Sequence, residues 1–216
     1  MKDFSKWKHS RVCCVLLVLN AAIATAQDKT DRRTPRMEVF SLFSVSRDHP
    51  PSGASTGAGV VKPGAQYGFN GGFATNLTRS FDLVIDVGIL GGDRDVLSGA
   101  RADSTAAKEF ASTTFFLGGP QYKMRRHHLV EPFVRGLVGG SFRGFTPQHG
   151  NAGFAAGLGG GVDLVLSPSV AARIIQYDFL VHTGPNGMTD YHRVSFGVVF
   201  RFGGSPESAR PADTHK

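Results

Sequence analysis

Long segments in which apolar residues alternate with polar or small ones are the feature that most constrains the fold of this chain. Between Gln66 and Leu77, and again between Phe81 and Ile89, every second residue is mostly apolar. Because successive side chains of a strand point to opposite faces, this period of two predicts strands with one apolar face. The pattern recurs in residues 154–166, 171–181 and 194–202, whereas segments with helical periodicity are hard to find.

Three further segments bring the expected number of strands to eight. Residues 38–47, 110–122 and 129–142 are apolar and rich in strand-forming residues, although the two faces of 38–47 cannot be assigned. Several of the eight strands reach ten residues or more, which is long for a soluble sheet and suits a tilted strand that crosses a membrane. No later run of 18 apolar residues predicts a transmembrane helix. We therefore expect an all-β protein, a closed antiparallel up-and-down transmembrane barrel.

The connections between these strands alternate in length. Residues 48–65, 92–109, 143–151 and 182–190 form the longer connections, and 78–80, 123–128 and 167–169 form the shorter ones. Long loops at one end and short turns at the other are typical of up-and-down membrane barrels. The two longest, 48–65 and 92–109, are the regions that we expect to contact other molecules.

The polar faces carry few charges, and those are of both signs, so we expect the apolar faces to point toward lipid. Small residues, among them many of the 28 glycines, accompany these charges and favour a narrow, packed lumen. Arg173 falls on the apolar face of its strand, near the end, where its side chain would reach toward the membrane surface. We expect acid–base pairs in the lumen to brace the barrel, formed by Asp82, Asp86, Glu131, Arg135, Asp163, Asp178, Arg193 and Arg201.

The N-terminus predicts export. Basic residues precede an apolar run from Val12 to Leu19, and Ala24-Thr25-Ala26 supplies small residues for cleavage. We expect a signal peptide over 1–26, a short lead over 27–36, the barrel over 37–203 and a disordered polar tail over 204–216. Both cysteines, Cys13 and Cys14, lie in the signal peptide, so we expect no disulfide, thiolate metal site or cysteine nucleophile after cleavage.

Charge and motifs exclude several function classes. The net charge is +7, of which +3 precedes residue 27, and the remainder is dispersed, so nucleic-acid binding is not expected. The glycine-rich stretch 157–161 lacks the features of a nucleotide loop, and no cofactor is expected.

Adjacent His127 and His128 diverge on a strand and sit with Arg125 and Arg126 in a basic, solvated turn. His182, Asp190 and His192 flank one loop and are candidates to converge on a metal, but we assign no metal site.

The last strand resembles the assembly signal of outer-membrane barrels. Ser195, Gly197, Phe200 and Phe202 match its polar residue, its glycine and its final alternating aromatics. One departure is the tail that follows Phe202, since the family usually ends at that aromatic. Residues 37–203 are similar in layout to the eight-stranded barrels grouped with outer-membrane protein A. The resemblance implies a bacterial outer-membrane location, insertion by the barrel-assembly machinery and contact with outer-membrane lipid and lipopolysaccharide.

We expect a monomer with a structural or surface-interaction role and no catalytic activity, and three alternatives stay open. Some eight-stranded barrels modify lipid A, but here no histidine is followed by a serine two positions later. Ser141 and Ser195 are the conceivable nucleophiles, with His149, His182 or His192 as bases. A narrow pore is the second alternative. A soluble, lipocalin-like barrel with the opposite orientation of its faces is the third.

Overall fold

The computed structural model describes residues 35–49, 55–56, 59–61, 63–97, 106–125, 129–145, 150–184 and 187–203. The predicted signal peptide over 1–26 and the predicted tail over 204–216 lie outside these residues, as does the lead up to residue 34. Within the described ranges, no helix has the length and apolar character needed to span a membrane.

Ten strands make up one antiparallel sheet. Eight of them contain 12 to 18 residues, and the other two form a small hairpin between the first and second long strands. The bounds are β1 Met37–His49, β2 Ser55–Thr56, β3 Gly59–Val61, β4 Ala65–Asn76, β5 Phe81–Leu97, β6 Ala106–Lys123, β7 Val130–Phe145, β8 Asn151–Ser167, β9 Val170–Gly184 and β10 Gly187–Phe202.

The eight long strands close into a barrel. Each pairs with its neighbours in sequence, and β1 also pairs with β10 from Met37↔Phe202 to His49↔Asp190. Every long strand therefore has two hydrogen-bonded neighbours, which satisfies the backbone groups that hydrocarbon cannot solvate. The predicted closed, eight-stranded, up-and-down barrel is confirmed.

The exterior is apolar and the interior is polar. Phe73, Leu83 and Phe196 expose 39%, 47% and 52% of their surface on the outside, whereas Asp86 and Arg201 expose 0% and 7% inside. Other large apolar side chains continue this outer belt, including Phe69, Phe116, Val134, Val138 and Leu158. Such a belt is stable only against acyl chains, so the predicted orientation is confirmed and the soluble, lipocalin-like alternative is wrong.

The barrel has two distinct ends. At the short-turn end lie the tight connections 77–80 and 168–169, the end of β6, the start of β7, the N-terminal end of β1 and the C-terminal end of β10. At the long-loop end, two predicted loops are shorter than expected. The ladder between β5 and β6 continues to Leu97↔Ala106, and β2 and β3 pair within 48–65, with β3 also pairing with β5. The apolar alternation, which located the strand ends in the sequence, stops near the bilayer boundary. Strand pairing does not depend on this alternation and continues into water.

Arg173 lies inside the barrel, which corrects its assignment to the apolar face. Ile174 has no partner on β8, because the register passes from Val162↔Ile175 to Asp163↔Arg173. Ile174 and Ile175 therefore both face outward, with 54% and 50% of their surface exposed. This bulge reverses the alternation on its N-terminal side, so Arg173 turns inward.

Candidate functional site

The centre of the lumen holds a cluster of two arginines and two aspartates. This mid-wall cluster consists of Asp86 on β5, Arg135 on β7, Asp178 on β9 and Arg193 on β10, with exposures of 3% or less. Nε of Arg135 donates to Oδ1 of Asp178 at 2.9 Å, and its Nη2 donates to Oδ2 of Asp86 at 3.0 Å. Arg193 contacts the same two carboxylates, at 3.1 Å to Asp86 and 3.0 Å to Asp178. These contacts join β5, β7, β9 and β10 across the lumen, although not all four strands are adjacent.

Neutral side chains complete the hydrogen bonding of these carboxylates. The amide of Asn70 donates to Oδ2 of Asp86 at 3.0 Å, and the amide of Gln176 donates to Oδ2 of Asp178 at 2.8 Å. The Ser44 hydroxyl donates to the Asn70 side-chain oxygen and lies 2.8 Å from the Ser195 hydroxyl. A buried charge is tolerated only when it is both paired and hydrogen-bonded, and the mid-wall cluster meets both conditions.

A second, larger cluster closes the short-turn end. This inner-mouth cluster consists of Glu38, Asp82, Lys123, Arg125, Glu131, Asp163, Arg173 and Arg201. Asp163 accepts from Lys123 at 2.9 Å and from Nε of Arg173 at 2.7 Å. The Arg173 guanidinium also stacks over the Phe133 ring, 4.3 Å from its centroid. Arg201 pairs with Glu131.

Four members of the inner-mouth cluster were not predicted. Lys123 and Arg125 were assigned to a solvated turn, but Lys123 ends β6 with no exposed surface and the Arg125 side chain is 5% exposed. Glu38 lies on the strand whose faces were unassigned, and Arg173 was assigned to the outside. The sequence did indicate that cations were missing from the predicted set, because the eight predicted lumenal charges comprise five carboxylates and only three guanidinium groups. With the four added, six acids face six bases, the balance that a dry interior requires.

Apolar side chains fill the lumen on both sides of the mid-wall cluster. On the long-loop side of the mid-wall cluster, Phe115 and Tyr191 stack edge to face with centroids 5.2 Å apart. Leu90, Leu117, Leu137, Ala155 and Leu180 complete that group, and a second group contains Phe40, Leu42, Ala74, Val84, Ala171 and Val199. Eight strands leave room only for side chains in the interior, and here buried side chains occupy it.

The structure brings together one of the conceivable serine–histidine pairs. The Ser141 hydroxyl lies 2.6 Å from Nδ1 of His182, and both residues are buried inside the barrel. Among the described residues, no carboxylate hydrogen-bonds to His182. The pair faces the lumen rather than the lipid belt. Ser195 also faces inward and contacts Ser44 rather than a histidine.

The other residues of the assembly signal lie along the seam between β1 and β10. Gly197 pairs with Leu42, Phe200 with Val39 and Phe202 with Met37. A Cβ added to Gly197 would lie 2.2 Å from the Ser41 carbonyl oxygen. The glycine is therefore required by the close approach of the two strands that close the barrel.

The histidine and aspartate residues of the long-loop end do not converge as expected. His182 faces the lumen, whereas Asp190 and His192 lie on the outer wall of β10. The third residue beside them is instead His49, the last residue of β1. Of the three candidate residues, the structure brings together only Asp190 and His192. His127, His128 and His149 lie outside the described residues.

Comparisons with known proteins identify the fold. No family model and no curated protein sequence matches the chain. The structure is similar to neisserial surface protein A, with a TM-score of 0.52 and 11% identity, covering 77% of this chain and 97% of that one. It is similar to Ail, the attachment invasion locus protein of Yersinia pestis, with a TM-score of 0.50 and 13% identity, covering 77% and 98%. The chain is an eight-stranded transmembrane β-barrel with the fold of bacterial outer-membrane proteins.

Proposed function

We propose that this barrel is a sealed, non-catalytic scaffold of the outer membrane that presents its long-loop end to molecules outside the cell. In this role it acts as a monomer, surrounded by outer-membrane lipid and lipopolysaccharide, after insertion by the barrel-assembly machinery. The observation that carries the proposal is the combination of a closed lumen with strands that continue beyond the membrane at one end only.

The closed lumen argues against transport and catalysis. A solute would have to displace the mid-wall cluster, whose carboxylates and guanidinium groups pair with one another across the lumen. The Ser141–His182 pair is enclosed and has no acidic partner among the described residues, so it lacks both the access and the third group of a hydrolytic triad. Both charged clusters therefore support a mechanical role inside the barrel.

The extension at the long-loop end supports a role in surface interaction. About 9–11 residues suffice for a tilted strand to cross a bilayer, whereas β5 has 17 residues and β6 has 18. The surplus forms a paired hairpin, and β3 adds to its edge through Val60↔Leu97 and Val61↔Val96. A paired sheet that extends into water in this way offers a surface for contact with another molecule.

The name of one protein with this fold points in the same direction. Ail is described as an attachment invasion locus protein, and its structure contains the heparin analogue sucrose octasulfate. Attachment is thus part of the name of one small barrel with this fold.

Shortening the β5–β6 hairpin tests the proposal. We expect a variant that joins Gly92 to Ala111 through Asn-Gly to fold but to lose most of its attachment to cultured epithelial cells. Those two residues are a cross-strand pair, so the membrane ladder is kept and only the extension is removed. The measurement is the fraction of barrel-expressing, otherwise non-adherent bacteria that stay bound after washing.

The matched control replaces residues 98–105 by a Gly/Ser sequence of the same length and keeps the paired extension. Heat-modifiable gel migration verifies that both variants fold. Equal attachment of bacteria with the intact barrel, with the shortened barrel and with no barrel would contradict the surface-interaction role.

A further inference from the structure

Three potential metal ligands meet on the outer wall where the barrel closes. His49 is the last residue of β1, Asp190 lies directly opposite it on β10, and His192 is two residues further along the same face. Their side chains expose 44%, 35% and 41% of their surface, so the trio lies at the outer surface of the barrel wall. Because 140 residues separate His49 from Asp190, only closure of the barrel brings them together.

Two of the three distances within this trio are close to those between ligands of one ion. Oδ2 of Asp190 lies 3.5 Å from Nδ1 of His49 and 3.6 Å from Nε2 of His192. All three ligand atoms lie within 4.8 Å of one another. Two ligands of a tetrahedral Zn²⁺, each about 2.0–2.1 Å from the ion, are separated by roughly 3.3 Å. A small contraction of the trio therefore produces three tetrahedral positions and leaves the fourth for water.

The surroundings of both histidines leave one ring nitrogen of each available to bind a metal ion. The Tyr177 hydroxyl lies 2.6 Å from Nδ1 of His192 and can accept a hydrogen bond from that nitrogen. In this tautomer Nε2, which faces Asp190, keeps a free lone pair, as in many metal-bound histidines. Among the described residues, no group hydrogen-bonds to Nδ1 of His49, although the atom itself is buried. Its nearest charged neighbour is Asp190.

We propose that His49, Asp190 and His192 bind a divalent transition-metal ion, with Zn²⁺ the best fit, that joins the first and last strands of the barrel. Two imidazoles and one carboxylate suit Zn²⁺, Cu²⁺ or Ni²⁺, whereas Ca²⁺ and Mg²⁺ require sites built mostly from oxygen atoms. The ion links the two strands whose pairing completes the barrel. Its binding stabilises the closed form, because the three ligands are adjacent only there.

Titration of the purified, tag-free barrel in detergent micelles tests this site. We expect one Zn²⁺ to bind per chain by isothermal titration calorimetry. The urea midpoint of unfolding, read from gel migration, should rise when Zn²⁺ is added. Cobalt supplies an independent signature, since tetrahedral Co²⁺ with nitrogen and oxygen ligands absorbs in the visible range.

Single substitutions assign the ligands. His49→Ala and His192→Ala should each weaken Zn²⁺ binding at least tenfold and abolish the rise in the urea midpoint. Tyr177→Phe removes only the partner of His192 and should weaken binding by roughly 10–100-fold, the range for loss of an outer partner. Arg47→Ala is the matched control. Arg47 lies opposite His192 on the same wall but offers no ligand, so its loss should leave Zn²⁺ affinity unreduced.

Two results would overturn the proposal. The first is an intact barrel that binds no Zn²⁺ at 100-fold molar excess. The second is binding that persists unchanged in the His49→Ala/His192→Ala double variant while the barrel remains folded by gel migration.

Discussion

Replacement of Arg135 by methionine is expected to lower the free energy of unfolding of the barrel by about 3–5 kcal/mol. The side chain keeps an unbranched apolar stem but loses its guanidinium group, so Asp86 and Asp178 share the single cation Arg193 in a site without exposed surface. Urea unfolding in detergent, followed by gel migration, measures the change. Arg47→Met is the control, because this exposed arginine lies on the outer wall and its loss should cost no more than about 0.5 kcal/mol.

A compensating variant separates lost charge balance from lost packing. Arg135→Met combined with Asp86→Leu leaves Asp178 paired with Arg193, so the mid-wall cluster is neutral again. The double variant should lose about 1–3 kcal/mol less unfolding free energy than the two single variants lose in sum. If neither Arg135→Met nor Glu131→Gln alters the urea midpoint, the lumenal charges do not brace the barrel.

Replacement of Gly197 by alanine is expected to destabilise the barrel by about 1–3 kcal/mol even in pure detergent or lipid. The added Cβ would lie 2.2 Å from the Ser41 carbonyl oxygen and 2.8 Å from Cα of Leu42. Both atoms belong to the backbone of β1, so the strands that close the barrel must separate. Refolding from urea into lipid vesicles, without any assembly factor, measures the yield and the stability.

Phe202→Ala distinguishes strand closure from recognition by the assembly machinery. Phe202 is 48% exposed on the outer wall, so its loss should leave refolding in vitro nearly unchanged. If the machinery reads the final aromatic, the same substitution reduces insertion in cells. Normal refolding of the Gly197→Ala variant would show that Gly197 is needed only for recognition by the assembly machinery.

The period of two was sufficient to predict the strands of the barrel, and the sparse charges of both signs on the polar faces predicted the direction of the faces. Strands such as β5 and β10 carry charges on one face and large apolar residues on the other, so bilayer and lumen impose opposite requirements on alternate residues. β1 was ambiguous for a physical reason. Phe40 and Leu42 point into the lumen beside Val84 and Val199, so both faces of this strand are apolar and Glu38 was not placed.

The remaining differences arise from interactions between distant parts of the chain. The bulge at Ile174 reverses the alternation, and nothing local announces it, because Arg173 turns inward to reach Asp163. The excess of carboxylates among the predicted charges did indicate missing cations, which the structure identifies as Arg173, Lys123 and Arg125. The meeting of His49 with Asp190 depends on the register between the first and last strands, which the sequence pattern does not specify.

Adjacent residues of β6 offer the most direct test of the central claim, that apolar faces meet lipid and polar faces pack a closed lumen. Phe115 has no exposed surface, whereas its neighbour Phe116 exposes 58% on the outer wall. Trp7 is the only tryptophan and lies in the predicted signal peptide, so Phe115→Trp and Phe116→Trp in the chain without residues 1–26 each report from one face. In vesicles of lipid with brominated acyl chains, we expect tryptophan fluorescence at position 116 to be quenched several-fold more than at position 115. Equal quenching, or stronger quenching at position 115, would contradict the account.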